Sequence, residues 1–182
     1  RERMFLELID KDLKIWGSDW RKQHPTYEMV QNNGNRTDST LNREIFSNSQ
    51  INLNLHSSTY HTGINPLGDF VNPRTFEILA CGGFQMVDKR SLLNELLTPG
   101  KDLISYSDTN ELRDLIEYYM EHHEERELIS KTGKATVLRQ HTYKVRMAEC
   151  LEMLVINGVE FFPFAQQVKD DELDQVDDSR LG

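Results

Sequence analysis

Cysteine is scarce. Cys81 and Cys150 are the only two in 182 residues, and both fall in apolar helical contexts, so neither a disulfide framework nor a metal-ligand spacing is present. No run approaches the roughly 18 apolar residues of a membrane span, and no charged-then-apolar leader opens the chain. Basic residues are outnumbered, 21 Lys and Arg against 30 Asp and Glu, for a net charge of −9. That sign excludes a nonspecific nucleic-acid binder, which needs a basic face to neutralise phosphates. No carboxylate pair has an obvious metal-site spacing, no internal repeat appears, and the dinucleotide glycine fingerprint is missing. The default setting is reducing and cytoplasmic.

What is present is alternation. Met4, Phe5, Leu8 and Ile9 recur at a helical period, and Leu13–Gly17 reads as a strand running into a turn. Residues 24–38 are polar and Asn-rich, a loop with a short helical turn. Ser39 or Thr40 caps a helix through Phe46. Gln50–Leu55 alternates apolar and polar residues, the pattern of a strand. Residues 56–71 form a long loop containing Gly63, Pro66 and Gly68. Loops of this length without structure of their own tend to be functional or disordered, and this one lies after a strand and before a helix, where open α/β sheets place ligands. Ser91–Leu97 is helical and Leu103–Tyr106 a strand. Asp108–Glu111 is a capping box, with Leu112, Leu115, Ile116, Tyr119 and Met120 striping the helix behind it. Helices over Glu124–Arg139 (Leu128, Ile129, Ala135, Leu138) and from Thr142 (Met147, Cys150, Leu151, Leu154, Val155) close the folded part. The fold expected is α/β, a Rossmann-like parallel sheet flanked by helices, with further helices at the C-terminal end. The boundaries expected are an N-terminal helix or linker over 1–11, a binding domain over 12–157, and an extension with an acidic tail over 158–182.

The stretch Asn72–Asp88 (NPRTFEILACGGFQMVD) organises the rest. Asn72 can cap a helix, and Pro73 suits its first position, where its missing N–H goes unneeded. Phe76, Leu79 and Ala80 form the expected buried face, with Arg74 and Glu77 on another side. Gly82 and Gly83 stop the helix, and Phe84–Val87 reads as a buried strand. A helix beginning after a long loop presents free N–H groups and a positive dipole end, which suits a phosphate. Arg74 adds a full positive charge there. Glu77, one turn on, offers two acceptors for the hydroxyls of a ribose.

Together these residues resemble a known family. Asn72-Pro-Arg-Thr-Phe-Glu-Ile-Leu-Ala-Cys-Gly-Gly-Phe84 resembles the donor-binding half of GT-B glycosyltransferases, the glycosyl transferases group 1 and in particular the CgeB-like group, related to a spore maturation protein. Leu13-Lys-Ile-Trp-Gly-Ser-Asp-Trp20 resembles the strand and glycine turn that open that half, and Ser49–Asn54 the strand before the donor loop. Pro99–Leu103, Glu124–Arg126, Gly133 and His141–Arg146 resemble its closing segment, so the likeness spans residues 12–155. The resemblance implies a strand-end crevice holding a nucleotide-diphosphate sugar, with no metal ion and no further cofactor. It puts Arg74 on the diphosphate and Glu77 on the ribose. Asp69, eight residues before Glu77, stands at the sugar-side acidic position, where related retaining enzymes carry glutamate. Gly63, Asn65 and Asn72 on the donor loop and Gly17 in the opening turn complete the expected substrate contacts. The catalytic base and acceptor site would belong to a preceding N-terminal domain of the same protein, a partner consistent with a chain that opens without an initiator methionine.

Other candidates have plainer readings. Arg21 and Lys22 could reach a phosphate or form a solvated edge. His56 and His61 flank the donor loop, but loop histidines with no visible orienting partner are usually solvated. His122 and His123 sit at a helix end, where a cation is favourable. Three functions stay open: the donor domain of a glycosyltransferase, a non-catalytic nucleotide-binding or protein-interaction module, and a sugar-nucleotide epimerase of the same architecture.

Overall fold

The computed structural model describes residues 2–56 and 70–157. Three parallel strands, β1 (Asn52–Asn54), β2 (Gln85–Asp88) and β3 (Ile104–Tyr106), form a sheet in that order with β2 in the centre. The register aligns Leu53 with Met86 and Met86 with Ile104. The helices are α1 (Glu2–Leu6), α2 (Ser39–Asn48), α3 (Pro73–Ala80), α4 (Leu93–Leu96), α5 (Thr109–Glu121), α6 (His123–Gln140) and α7 (Tyr143–Ile156). Parallel strands cannot be joined by a tight turn; α3 lies in the β1–β2 crossover and α4 in the β2–β3 crossover. The architecture is the expected one, an α/β Rossmann-like arrangement with C-terminal helices.

The chain divides into two compact units, Arg1–Lys134 and Ala135–Gly182. In the first, one sheet face carries Phe84, Met86, Ile104 and Tyr106 into a core with Phe5, Leu8, Ile15, Leu112, Ile116, Tyr119 and Ile129. The α5 stripe is as expected at Leu112, Ile116 and Tyr119, but Met120 at its end is exposed. The expected cap forms, Asp108 accepting from the Asn110 and Glu111 N–H groups. The returning bond of the box goes one residue further back, Glu111 accepting from Ser107 N–H rather than from the Asp108 main chain. The segment after α1 is clasped to α5, since Arg113 donates to both oxygens of Asp10 at 2.9 and 2.8 Å, and Lys11 meets Glu117 at 2.8 Å. In the second unit, Thr142 caps α7 through Val145 N–H, and Val137 and Ala148 are buried.

Several expectations are corrected. Leu13–Gly17 is not a sheet strand. Ile15 donates to Met29 carbonyl at 2.9 Å and accepts from Gln31 N–H at 2.8 Å, a single bridge to the turns that follow. Its hydrogen bonds are therefore spent before Gly17, whose φ of +113° ends the extended run. Helix α2 is capped by Asp38, which accepts from Leu41 N–H, rather than by Ser39 or Thr40, and it runs to Asn48. Helix α1 stops at Leu6, leaving Ile9 exposed.

On α3 the buried residues are Thr75, Ile78 and Leu79, one step round from the expected Phe76–Leu79–Ala80 face. On α6 they include Ile129, Gly133 and Val137 rather than Leu128, Ala135 and Leu138. Packing at Gly133 sets that register: a Cβ there would collide with the Asp102 carbonyl and touch Leu79 Cδ2 at 3.0 Å. The apolar residues expected to face inward on α7 are largely exposed, Met147, Leu154 and Val155 among them.

Candidate functional site

In a parallel sheet every strand ends at the same edge, and loops leaving that edge converge. Here β1 ends at Asn54, β2 at Asp88 and β3 at Tyr106. Helix α3 starts at that edge because polar side chains pin it there. Asn72, in extended conformation, caps α3 by accepting from Thr75 N–H at 3.1 Å, and Pro73 takes the first helical position. The buried Asn54 amide donates to Asn72 Oδ1 at 3.1 Å, Thr75 Oγ1 at 3.0 Å and Gln85 Oε1 at 2.9 Å. Asn72 returns a bond to Asn54 Oδ1 at 3.1 Å, and Gln85 donates to Thr75 carbonyl at 2.9 Å. Buried amides are tolerated when their hydrogen bonds are made, and such a network fixes one geometry. The polar half of β1, which looks from sequence like the solvent side, is thus the side facing α3.

The other end of α3 is set by glycine. Gly82 takes a φ of +77° and donates to Leu79 carbonyl at 2.8 Å. Gly83 serves a different need: a Cβ there would sit 2.7 Å from Asn52 Nδ2 and from Phe46 carbonyl.

Arg74 and Glu77 both stand exposed on α3, and neither side chain is hydrogen-bonded or ion-paired to another described residue. They do not pair with each other or with Lys89 among the described residues, so both are available to a ligand. Asn72 is different, its amide being committed to the cap and to Asn54. Gly17 lies in the turn beyond Ile15, outside the β1–α3–β2 network. Gly63, Asn65 and Asp69, with His61, lie outside the described residues. Arg21, the alternative phosphate contact, donates through Nε to Glu2 at 2.9 and 3.2 Å.

A second cluster on the same edge was not expected. His56, two residues beyond β1, is wholly buried, its side chain 0% exposed. Its backbone N–H reaches Asp88 Oδ1 at 2.7 Å and its Nδ1 reaches the same oxygen at 2.8 Å. Arg90 occupies the other oxygen, with Nε at 3.0 Å and Nη2 at 2.5 Å from Asp88 Oδ2. Phe70 sets its ring edge-on to the imidazole at 5.6 Å. Burial by itself pushes the Asp88 carboxyl up, but the hydrogen bonds from the His56 ring and main chain and from Arg90 outweigh it and hold the group below the ordinary aspartate value. Burial, and then the Asp88 charge, raise the Tyr106 phenol. Among the described residues, His56 Nε2 and Tyr106 Oη are buried with no hydrogen-bond partner.

Sequence reasoning assigned His56 to a solvated loop and did not select Asp88, Arg90 or Tyr106. The contact joins residues 32 apart, and only the β1–β2 register, Asn54 beside Val87, brings them together. The readable signal was an aspartate closing an apolar strand, which is weak.

A cavity of about 480 Å³ opens elsewhere, lined in part by Ser49, Gln50, Cys81, Gly82, Arg126 and Lys134. Those residues precede β1, follow α3 and belong to α6, so this cavity lies at the amino edge of the strands. Volume alone does not make it the centre of the chemistry. The start of α3, the uncommitted Arg74 and Glu77, and the His56–Asp88 pair all belong to the carboxyl edge.

An open α/β sheet with a pinned helix start at its carboxyl edge belongs to the class of proteins that bind ligands at strand ends. The chain belongs to the glycosyl transferase-like family, whose model matches residues 1–152, and membership implies glycosyl transfer. No curated protein matches the chain. No described helix is long and apolar enough to cross a membrane.

Proposed function

We propose that the chain is the donor-binding domain of a GT-B glycosyltransferase of the CgeB-like group, taking a nucleotide-diphosphate sugar at the carboxyl edge of the sheet. The observation that carries this reading is the start of α3, capped by Asn72 and tied to β1 and β2, with Arg74 and Glu77 exposed and uncommitted beside it. The diphosphate lies against the start of α3, where the positive end of the helix dipole and the Arg74 guanidinium oppose its charge. Glu77 accepts from the ribose hydroxyls. Asn72 acts through the helix that it caps. By the family resemblance Asp69 takes the sugar-side acidic position, and Asn65 and Gly63 are further substrate contacts.

As the glycosidic bond breaks, negative charge grows on the departing diphosphate. Fixed donors placed where charge develops stabilise the transition state more than the ground state. Arg74 and the positive end of α3 perform this role without a divalent ion. The acceptor and any base that deprotonates it belong to an N-terminal domain of the same protein, the second wall of the cleft.

Titration of the chain with UDP, GDP and their sugars, followed by amide chemical shifts, tests the site. Shifts gathered on Asn72–Glu77 are expected. Binding with shifts confined elsewhere contradicts the reading. Binding at α3, without transfer once an N-terminal domain is supplied, would leave a non-catalytic nucleotide-binding module.

A further inference from the structure

We propose that His56 is a sugar-binding residue, its Nε2 accepting a hydrogen bond from a hydroxyl on the carbohydrate half of the donor, with Asp88 as its positioning residue. This inference rests on the donor reading above and names a contact that reading does not contain. A carboxylate can only accept, and Asp88 Oδ1 lies 2.8 Å from His56 Nδ1, so Nδ1 carries the proton. A neutral imidazole has one N–H, which leaves Nε2 as a bare lone pair. That lone pair is buried without a partner among the described residues. Buried acceptors are seldom left unmatched, and one held this firmly points to a ligand donor.

The surroundings fix the ring and narrow the partner. The His56 main chain is tied to the same Asp88 oxygen, Arg90 holds the other, and Phe70 borders the imidazole. Rotation of the ring would break the Nδ1 bond. The diphosphate offers only acceptors at neutral pH, so it cannot satisfy Nε2; a hydroxyl can. Ribose and the transferred sugar both carry hydroxyls. Glu77 already offers acceptors to the ribose from α3, which leaves the transferred sugar as the hydroxyl source for Nε2. Tyr106 Oη, also unpartnered and on the neighbouring strand end to Asp88, can both donate and accept and so extends a surface suited to a polyhydroxyl ligand.

The test uses ¹⁵N-histidine-labelled chain and long-range ¹H–¹⁵N spectra, which read each imidazole nitrogen directly. The probes are UDP-glucose, GDP-mannose and dTDP-glucose, each beside its nucleoside diphosphate. The free chain is expected to show His56 as the Nδ1–H tautomer. The nucleotide sugar that perturbs the α3 amides is expected to move Nε2 toward a hydrogen-bonded shift, while its nucleoside diphosphate leaves Nε2 in place. His56→Asn keeps a donor for Asp88 and removes Nε2. It should weaken the nucleotide sugar about tenfold, the loss of one such bond, and leave the nucleoside diphosphate unchanged.

An Nε2–H tautomer overturns the proposal, as does an unmoved Nε2 with the α3 amides shifted by a bound nucleotide sugar. Equal weakening of both ligands by His56→Asn also overturns it, pointing to a structural or ribose-side role. If that variant does not fold, the wild-type spectra still decide. If no probe shifts the α3 amides, the donor reading falls and takes the sugar contact with it, while an Nδ1–H tautomer would still identify Nε2 as a bare acceptor.

Discussion

At the scale of single residues, the site separates side chains already committed from those held open. Arg74 and Glu77 are open, so replacing them should cost binding and leave the fold intact. Glu77→Gln keeps the shape and removes charge-assisted acceptance, worth about 1.5–3 kcal/mol per bond. Nucleotide affinity should fall roughly tenfold or more, with the melting temperature unchanged, by calorimetry and thermal unfolding. Arg74→Ala should lose more affinity for a nucleoside diphosphate than for the nucleoside; an equal loss for both would exclude a phosphate contact. Asp88 carries a pH dependence of defined sign. Its folded-state pKa lies below its unfolded value, so between the two the unfolded chain binds more protons. Its stabilisation is therefore full above the unfolded value, near pH 4, and lost as pH falls through the folded value. Asp10 follows the same rule: its hydrogen bonds to Arg113 outweigh desolvation and hold it at about 2 against an ordinary 3.8. Denaturant midpoints measured from pH 6 to pH 2 should fall below about pH 4, and Asp88→Asn should flatten part of that fall.

At the scale of elements, small and polar residues at the contacts set where a helix lies. Gly133→Ala would add helix propensity worth about 1 kcal/mol, but its Cβ would meet the Asp102 carbonyl. Main chain cannot move aside as a flexible side chain can, and overpacking of this kind costs about 1–3 kcal/mol. Net destabilisation by urea unfolding is expected; a stabilised variant would show that α6 can shift away from the 102 loop. The position of α3 was legible in part. Its cap, proline start and glycine stop could be read from Asn72, Pro73 and Gly82, because they answer to local backbone chemistry. Its buried face could not, because Thr75 is buried by hydrogen bonds to Asn54 and Gln85 on other elements. Hydrophobic periodicity has no means of registering a polar residue buried that way.

At the scale of the whole molecule, the proposed reading makes the chain one wall of a cleft. Transfer needs donor and acceptor held in near-attack geometry, an effect that can supply about 7–11 kcal/mol of the barrier. Incubated with the nucleotide sugar it binds best and a panel of sugar and peptide acceptors, the chain should give no transfer until its N-terminal domain is added. Robust transfer by the chain alone, abolished by Glu77→Gln, would place the full active site within these residues.

The amino-acid sequence by itself determined the alternation of strand and helix, the parallel sheet that alternation requires, and the caps and stops of α3 and α5. All of these follow from contacts between residues a few positions apart. Tertiary structure alone decided that Leu13–Gly17 stays outside the sheet, that the asparagine side of β1 faces α3, and that His56 meets Asp88. The register of two parallel strands joins residues 32 apart, and no local pattern encodes a distance of that kind.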